Sequence, residues 1–417
     1  MQLDGSGIVT PAKPILVLLP AVASLDASSA RMQDGEPSIL GLGLTQRMVL
    51  AARRAGYGQI FFLAWDRVVP ADTTAIPDWG RLAEALLPFQ SAPLVIAPTT
   101  ILAETDWLKK LKATRIEPAT WAAIPDRIVM LAAATVADAL VALHADGGTS
   151  DLTAVAERLN HRFGPAAEVS REIAPMAIAK PQDIPVAERR LLRGLVKDTD
   201  GFMARHFDRP ISLQISRHLA PTAIKPTQIT MISIAVGLIG APFFLSSLWY
   251  WQLIGSLLFL LHSIVDGCDG ELARLKFQES RYGGIVDFWG DNIVHVAIFG
   301  CMAGGWALAI AATWPLWLGA AAIAGTLGSA SFVYWRQLRA KDGSGPFFTS
   351  VSTGSDDPLA ETLDAASRRD FIYIVPIFAL FGKASWFLVL AAVGAPIFFL
   401  LLLFLAARER LIKHATA

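Results

Sequence analysis

The sequence predicts an α-helical membrane protein with six transmembrane helices, preceded by a soluble α/β domain. Of its 417 residues, 53% are hydrophobic and 17% are charged, and the mean hydropathy of +0.46 is too apolar for an ordinary soluble enzyme. Charged residues become sparse after about Gln228, where apolar runs of roughly 20 residues begin, the length that a membrane-spanning helix needs. We therefore predict three parts: a cytoplasmic α/β domain over 1–197, a linker with an interfacial helix over 198–227, and a membrane domain over 228–417.

The first part alternates predicted strands with predicted helices. Short apolar runs predict strands at 15–19, 60–64 and 94–97, and apolar residues at helical spacing predict helices at 43–56 and 107–111. Strands and helices that alternate along the chain are typical of an α/β domain with a parallel sheet.

The linker contains a short amphipathic stretch at 211–219. Its apolar residues are interleaved with Ser212, Gln214, Ser216 and Arg217. Because this stretch directly precedes the membrane part, it predicts a helix lying in the membrane interface, although a plain linker also fits.

The membrane part contains six apolar segments, at 228–248, 251–268, 285–308, 314–335, 371–383 and 385–407. Basic residues gather at those segment ends that would share one side, whereas Lys383 is on the other side. By the positive-inside rule, this pattern predicts that both termini face the cytoplasm. The first twenty residues have no pattern of a signal peptide, so we expect an integral protein of the inner or cytoplasmic membrane with a cytoplasmic N-terminal domain.

Charge and cysteine content exclude several classes of protein. The 36 basic and 36 acidic residues leave no net charge, so the sequence gives no electrostatic reason to expect a nucleic-acid partner. The two cysteines fall in predicted membrane helices and indicate neither a disulfide framework nor a zinc site.

Four aspartates lie on the second and third predicted membrane helices. Asp266 and Asp269 are three residues apart, and Asp287 and Asp291 are four apart, so each pair shares one face of its helix. An acidic side chain at membrane depth costs roughly 3 kcal/mol on insertion scales, so acids that lie there usually mark a functional site. The two pairs are therefore expected to converge.

Clustered carboxylates predict a divalent cation. They repel one another unless a cation neutralises them, and hard oxygen ligands suit Mg²⁺ or Mn²⁺. Gly270 and Gly283 would let a ligand approach the cluster closely, and the Arg274 guanidinium suits phosphate oxygens. Together these features predict a phosphoryl-transfer site with an active-site opening on the cytoplasmic side. The alternative is that the aspartates form ordinary ion pairs at helix ends.

The same residues carry a resemblance to a known family. The run from Asp266 to Asp291 matches every position of D-x2-D-G-x2-A-R-x8-G-x3-D-x3-D, the signature of the CDP-alcohol phosphotransferases. The resemblance covers about 200–410 and implies metal-dependent transfer of a phosphoalcohol group from a CDP-alcohol to an acceptor hydroxyl, with release of CMP. It implies that Asp266, Asp269 and Asp287 bind metal and that Asp291 is the base, lying near metal as well. It also implies a cytidine diphosphate pocket lined by Gly270, Ala273, Arg274, Ser280 and Gly283.

One departure from the family concerns the start of the first membrane helix. The family often has P-N-x2-T there, whereas this chain has Pro226-Thr-Gln-Ile-Thr230. Thr227 thus replaces the asparagine and removes the side chain that would make any nucleotide contact at this position.

The N-terminal part resembles the sugar-nucleotide cytidylyltransferases that are fused to some family members, notably archaeal enzymes that make and use CDP-inositol. A nucleotidyltransferase needs a glycine-rich basic loop after its first strand, but this chain has Pro20-Ala-Val-Ala-Ser-Leu25. Thr99 or Thr100 stands where a metal-binding aspartate is expected. We interpret the domain as a degenerate nucleotidyltransferase-like domain with a structural, regulatory or dimerising role, the last of which would make the protein a homodimer. An activity of its own is the alternative.

The substrates are less closely defined. The donor is either the lipid CDP-diacylglycerol or a polar CDP-inositol-like molecule, and membrane lipid is a partner in either case. His262 and His295 flank the acidic cluster and either tune it, bind substrate or serve as hydrogen-bonded residues of the bundle. A noncatalytic membrane scaffold remains the rival to the enzyme. Four arginines are candidates for gripping an acceptor phosphate, although positive-inside anchoring also explains them: Arg336, Arg339, Arg368 and Arg369.

Overall fold

The chain forms two compact units, Met1–Leu191 and Leu192–Ala417, each with its own hydrophobic core. The structure is a computed structural model. The residues that it describes are 2–3, 9–10, 13–20, 32–33, 36–63, 71–89, 92–113, 121–124, 128–131, 152–168, 175–197, 200–339 and 369–415.

The first unit is built on a seven-stranded sheet with the order β13-β11-β12-β9-β3-β7-β8. The strands of the unit are β1 Gln2–Leu3, β2 Val9–Thr10, β3 Ile15–Leu19, β4 Met32–Gln33, β5 Glu36–Ile39, β6 Leu42–Gly43, β7 Gln59–Leu63, β8 Thr74–Ile76, β9 Leu94–Pro98, β10 Ile101–Leu102, β11 Ala122–Ile124, β12 Ile128–Leu131, β13 Ala167–Glu168 and β14 Met176–Ala177. Its helices are α1 Leu44–Ala55, α2 Trp79–Leu86, α3 Thr105–Ala113, α4 Leu152–Phe163 and α5 Asp183–Arg193.

The centre of this sheet confirms the predicted parallel α/β order. β3 pairs in parallel with both β7 and β9, and all five residues of β3 are buried, as expected for a strand covered on both faces. The strands predicted at 15–19, 60–64 and 94–97 and the helices predicted at 43–56 and 107–111 are all present, with ends that differ by no more than two residues.

One side of the sheet adds antiparallel strands to the predicted parallel centre. β12 pairs antiparallel with β9, and β11 pairs antiparallel with β12. Sheets that are parallel at the centre commonly carry antiparallel strands towards an edge. The short β11 and β12 are joined by the hairpin-length segment 125–127, which allows an antiparallel pair without a crossover helix.

The second unit is helical. Its helices are α6 Arg209–Leu219, α7 Pro226–Gly240, α8 Trp249–Lys276, α9 Arg281–Ile310, α10 Trp314–Arg339, α11 Ile374–Leu380 and α12 Ser385–Ala415. A π-helical turn, Ala204–Asp208, precedes α6, and 3₁₀ turns occur at Ala241–Leu245 and Arg369–Tyr373. The predicted helix at 211–219 is present as α6, which has Pro210 in its first turn, a position that proline favours.

Among the described residues, five helices are long and apolar enough to cross a membrane: Pro226–Leu245, Trp249–Lys276, Arg281–Ile310, Trp314–Leu338 and Ser385–Arg408. The unit therefore has the composition of an integral membrane protein. The segment predicted at 371–383 corresponds to the shorter apolar helix Phe371–Leu380. Ten residues of helix span only about 15 Å, half of the hydrocarbon layer.

Candidate active site

The structure brings together carboxylates from two neighbouring helices. Asp266 and Asp269 lie on α8 and are buried, whereas Asp287 lies on α9 and is half-buried. One carboxylate oxygen from each of the three lies within 4.8 Å of the other two. Three carboxylate oxygens in so small a volume are a donor set that fits a hard divalent cation such as Mg²⁺ or Mn²⁺.

The cluster lies near one end of the two helices. α8 ends at Lys276 and α9 begins at Arg281. With a rise of 1.5 Å per residue, Asp266 is about 15 Å and Asp287 about 9 Å along the helix from those ends. The carboxylates thus lie in the half of each helix that is nearer to this end.

A third helix, α7, supports the cluster. The hydroxyl of Thr230 donates a hydrogen bond to Asp269 Oδ2. α7 can approach closely because Gly237 has no side chain: a Cβ there would lie 2.5 Å from Val294 Cγ1 and 3.1 Å from His262 Cγ. Thr230 belongs to the pattern at the start of the first membrane helix, but no feature of the sequence predicted its contact with Asp269.

Asp291 lies one turn beyond Asp287 on α9 and faces a histidine from α8. His262 Nδ1 is 2.9 Å from the Ser233 carbonyl oxygen, so it must carry the hydrogen, and Nε2 lies 3.5 Å from Asp291 Oδ1. His295 instead places Nδ1 2.7 Å from the backbone oxygen of Asp291. Of the two histidines considered from the sequence, His262 is therefore the one whose side chain reaches the Asp291 carboxylate.

The remaining motif residues of α8 lie beside the carboxylates. Ala273 is buried, and Arg274 and Gly270 are half-buried. A Cβ on Gly270 would lie 3.5 Å from a guanidinium nitrogen of Arg274. The bare backbone at Gly270 therefore leaves open the space next to this guanidinium.

Ser280 and Gly283 form the turn that starts α9. Ser280 is the N-cap, and its hydroxyl oxygen accepts a hydrogen bond of 3.0 Å from the Gly283 N–H. A Cβ on Gly283 would lie 2.9 Å from that oxygen and 3.7 Å from Thr227 Cγ2. Helix capping alone therefore gives Ser280 and Gly283 a structural role. Thr227 lies next to the same turn.

Of the four candidate arginines, the structure describes the side chain of Arg336. Arg336 is half-buried on α10. Arg339 ends α10 and Arg369 begins a 3₁₀ turn, but their side chains, like the whole of Arg368, lie outside the described residues.

One charged residue of the motif was not predicted to matter. Glu271 is completely buried on α8, and Oε1 accepts hydrogen bonds of 2.7 Å from both Arg209 and Ser212. Its other oxygen accepts one of 2.7 Å from Ser216. The sequence did contain a signal for a role of Glu271, because it is a fifth acidic residue at membrane depth and directly follows Gly270.

Arg209 also binds a second carboxylate, that of Asp200. Two guanidinium nitrogens donate to its two oxygens at 2.8 and 3.0 Å. Burial raises the pKa of Asp200, but the bonds from Arg209 and from the Lys197 N–H outweigh this, so that the pKa lies below its usual range. Asp200 is therefore held in its charged form.

In the first unit, Thr99 is buried and its N–H donates to the Leu19 carbonyl oxygen at 3.0 Å. The loop expected to hold phosphate begins at Pro20, and its residues 21–25 lie outside the described residues.

A comparison with known families shows what the helical unit is similar to. Residues 223–353 match the family model of the CDP-alcohol phosphatidyltransferases. The match lies within the helical unit. It includes the complete motif from Asp266 to Asp291 and the helices that carry it.

Curated relatives match this chain over a similar length. The "Bifunctional IPC transferase and DIPP synthase" of Thermococcus kodakarensis is 40% identical over 124 residues, which cover 30% of this chain and 28% of that protein. The protein of the same name from Archaeoglobus fulgidus is 37% identical over 129 residues, 31% of this chain and 25% of that protein. The matched stretch therefore spans little more than a quarter of the length of these relatives.

A solved structure also shows a distant similarity. The crystal structure of Mycobacterium tuberculosis phosphatidylinositol phosphate synthase (PgsA1) with CDP-DAG bound is 18% identical and matches with a TM-score of 0.33. The match covers 46% of this chain and 92% of that one.

Proposed function

We propose that this chain is a metal-dependent CDP-alcohol phosphotransferase. The observation that carries the proposal is the approach of three carboxylate oxygens, from Asp266, Asp269 and Asp287, to within 4.8 Å of one another, with Asp291 one helical turn further on. This arrangement provides a cation site and a separate carboxylate within one cluster. Transfer of a phosphoryl-type group to a hydroxyl requires both the cation site and the separate carboxylate.

The residues have distinct roles in the proposed reaction. Asp291 accepts the proton of the acceptor hydroxyl, whose oxygen forms a bond to the β-phosphorus of the CDP-alcohol. The bond between that phosphorus and the bridging oxygen breaks, and CMP leaves with the bridging oxygen. Divalent cations held by Asp266, Asp269 and Asp287 would neutralise the diphosphate oxygens.

The donor pocket lies along the motif side of α8. Arg274 offers a fork of N–H donors to the diphosphate, and Gly270 and Ala273 leave space beside it. Ser280 and Gly283, which form the start of α9, close the pocket at the loop. The His262 ring lies against Asp291, with Nε2 3.5 Å from Oδ1.

The donor that we propose to test first is CDP-diacylglycerol. The sequence after β3 lacks the glycine-rich basic loop of a cytidylyltransferase, so the chain is expected to draw its donor from elsewhere. A polar CDP-inositol-like donor is the alternative, which the named function of the matched archaeal relatives favours. Arg336, Arg339, Arg368 and Arg369 remain candidates for an acceptor phosphate because of the charge that they bring to helix ends.

We propose the following arrangement in the membrane. Phe371–Leu380 completes a six-helix domain over 228–417, and α6 lies in the interface within the linker 198–227. The basic residues near Lys276 and Arg281 support a cytoplasmic position for the open end of the site and for the degenerate domain 1–197. The degenerate domain would then have a structural, regulatory or dimerising role.

The base is tested by Asp291→Asn. The amide keeps the size of the side chain but cannot accept the proton, so CMP release should fall by about 10²- to 10⁴-fold while CDP-donor binding is retained. Asp106→Asn is the matched control because Asp106 is an exposed residue of α3 whose ion pair with Lys109 is on the surface. Release of CMP by the Asp291→Asn protein at the wild-type rate would refute the assignment of the base.

A further inference from the structure

The structure contains a buried ionic network that the proposed reaction does not use. It consists of Asp200, Arg209, Ser212, Ser216 and Glu271, and we call it the Glu271 clamp. We infer that Glu271 is a positioning residue that fixes the rotation of α8 about its axis, and so presents Asp266 and Asp269 to Asp287. This inference rests on the proposed function, because it assigns a task in the same metal site.

Every polar side chain of the clamp that contacts Glu271 donates a hydrogen bond to its carboxylate. Arg209 and Ser212 donate to Glu271 Oε1, and Ser216 donates to Oε2, each at 2.7 Å. Ser212 and Ser216 are one helical turn apart on α6 and both are buried. The carboxylate therefore ties two successive turns of α6 to one position on α8.

Glu271 itself points away from the cation site. At 100° per residue, it lies about 140° around α8 from Asp266 and about 160° from Asp269. The side chain thus acts from the back of the helix, only two residues in sequence from Asp269. A rotation of α8 that loosened the clamp would move both buried aspartates away from Asp287.

Arg209 fixes the same part of α8 in a second way. A Cβ on Gly267 would lie 3.7 Å from its guanidinium, so this group packs against the backbone between Asp266 and Asp269. The other side of the guanidinium is held by two bonds to Asp200, whose side chain is only 10% exposed. The bonds to Asp200 therefore fix one side of the Arg209 guanidinium, while its other side packs against α8.

Because the clamp contains buried charges, its stability depends on an arrangement in which every charge keeps its partner. A buried charge that loses its partner is strongly destabilising, whereas a fully paired network can select one arrangement of helices over others. Removing Glu271 leaves the Arg209 guanidinium with Asp200, takes the carboxylate acceptor from the buried Ser216 hydroxyl, and leaves Ser212 with its bond of 3.4 Å to the Arg209 carbonyl oxygen. The contact between α6 and α8 would then depend on apolar packing alone. Such packing allows α8 to adopt other rotations about its axis.

The test compares Glu271→Met with Glu271→Gln in the full-length chain. Met fills a similar volume without accepting hydrogen bonds, whereas Gln keeps a carbonyl oxygen for Arg209 and Ser212 but loses the charge. Arg217→Gln is the control, because Arg217 is exposed on the same helix, α6. For each protein one measures Mn²⁺ binding, the Mn²⁺ dependence of CMP release, and the thermal unfolding transition.

We expect Glu271→Met to raise the Mn²⁺ concentration at half-saturation by about tenfold, as changes to groups that orient metal ligands do. Glu271→Gln should show a smaller shift in the same direction, and the control none. A purely structural role would reduce the folded fraction without moving the Mn²⁺ midpoint of the folded protein. A wild-type midpoint in the Met variant, or in the Gln variant if the Met variant does not fold, would overturn the inference.

The binding measurement separates this inference from the proposed function. If the wild-type protein binds Mn²⁺ but releases no CMP from any donor, the proposed function fails, and the shift in Mn²⁺ binding still decides the role of Glu271. If the wild-type protein binds no Mn²⁺, both are overturned.

Discussion

Thr230 is on a different helix from the carboxylate that it supports. Its hydroxyl donates to Asp269 Oδ2, and this bond fixes the direction in which the other oxygen points. We predict that Thr230→Val, which keeps the shape and removes the donor, weakens Mn²⁺ binding by about tenfold and lowers CMP release in the same proportion at limiting metal. A titration of both quantities with Mn²⁺ measures the effect.

Thr230→Ser is the matched variant, because serine retains the hydroxyl and loses only a methyl group. It should bind Mn²⁺ nearly as the wild type does. Equal Mn²⁺ affinities in the Val, Ser and wild-type proteins would show that Thr230 supports only the helix, through its second contact of 3.3 Å with the Pro226 carbonyl oxygen.

The sequence could predict the acids of the site but not the residues that hold them. Asp266 and Asp269, like Asp287 and Asp291, are close in sequence, so helical spacing alone puts each pair on one face. The contacts of Thr230 and Glu271 join positions that are 39 and 62 residues apart. No local pattern reports such contacts, because they depend on how separate helices pack.

At the scale of elements, α9 packs closely against the 3₁₀ turn Ala241–Leu245, which follows α7. A Cβ on Gly305 would lie 2.3 Å from the Phe244 carbonyl oxygen and 2.7 Å from Leu245 Cα, both atoms of the backbone. Backbone cannot move aside as a flexible side chain does. We predict that Gly305→Ala destabilises the protein by about 1–3 kcal/mol, despite the better helix propensity of alanine.

Gly300 provides the control on the same helix. It is exposed, and a Cβ there would meet nothing within 4 Å. Gly300→Ala should therefore leave the melting temperature unchanged or raise it slightly, while Gly305→Ala lowers it by about 2–4 °C per kcal/mol for a unit of this size. Thermal unfolding in detergent measures both. A melting temperature for the Gly305→Ala protein as high as that of the Gly300→Ala protein would contradict the packing.

The secondary-structure elements were predicted well where a short run of the sequence determines them. They were predicted poorly where their ends depend on contacts with other helices. The buried strands Ile15–Leu19 and Leu94–Pro98 stand out as apolar runs between turn residues. By contrast, α8 extends to Lys276, eight residues beyond the predicted end at 268. The prediction stopped there because charged side chains follow, but the structure buries Asp269 and Glu271 against neighbouring helices, so the helix continues through them.

At the scale of the whole molecule, the two units carry different amounts of recognisable chemistry. The helical unit contains the whole motif and matches the CDP-alcohol phosphatidyltransferase family model over 223–353. The first unit has a parallel sheet centre, and Thr99 and Thr100 follow β9 where the resemblance leads us to expect a metal-binding aspartate. The sequence therefore predicts the reaction class from one unit, whereas donor and acceptor depend on surfaces that no motif describes.

The most direct test of the account is CMP release by the purified full-length chain. Donors are CDP-diacylglycerol, CDP-inositol, CDP-choline and CDP-glycerol, each with several hydroxyl acceptors, with Mg²⁺, Mn²⁺ or a chelator. We predict release from at least one donor, dependent on both the acceptor and the metal. No release from any donor, in a protein that still binds Mn²⁺, would contradict the account and leave a noncatalytic membrane scaffold.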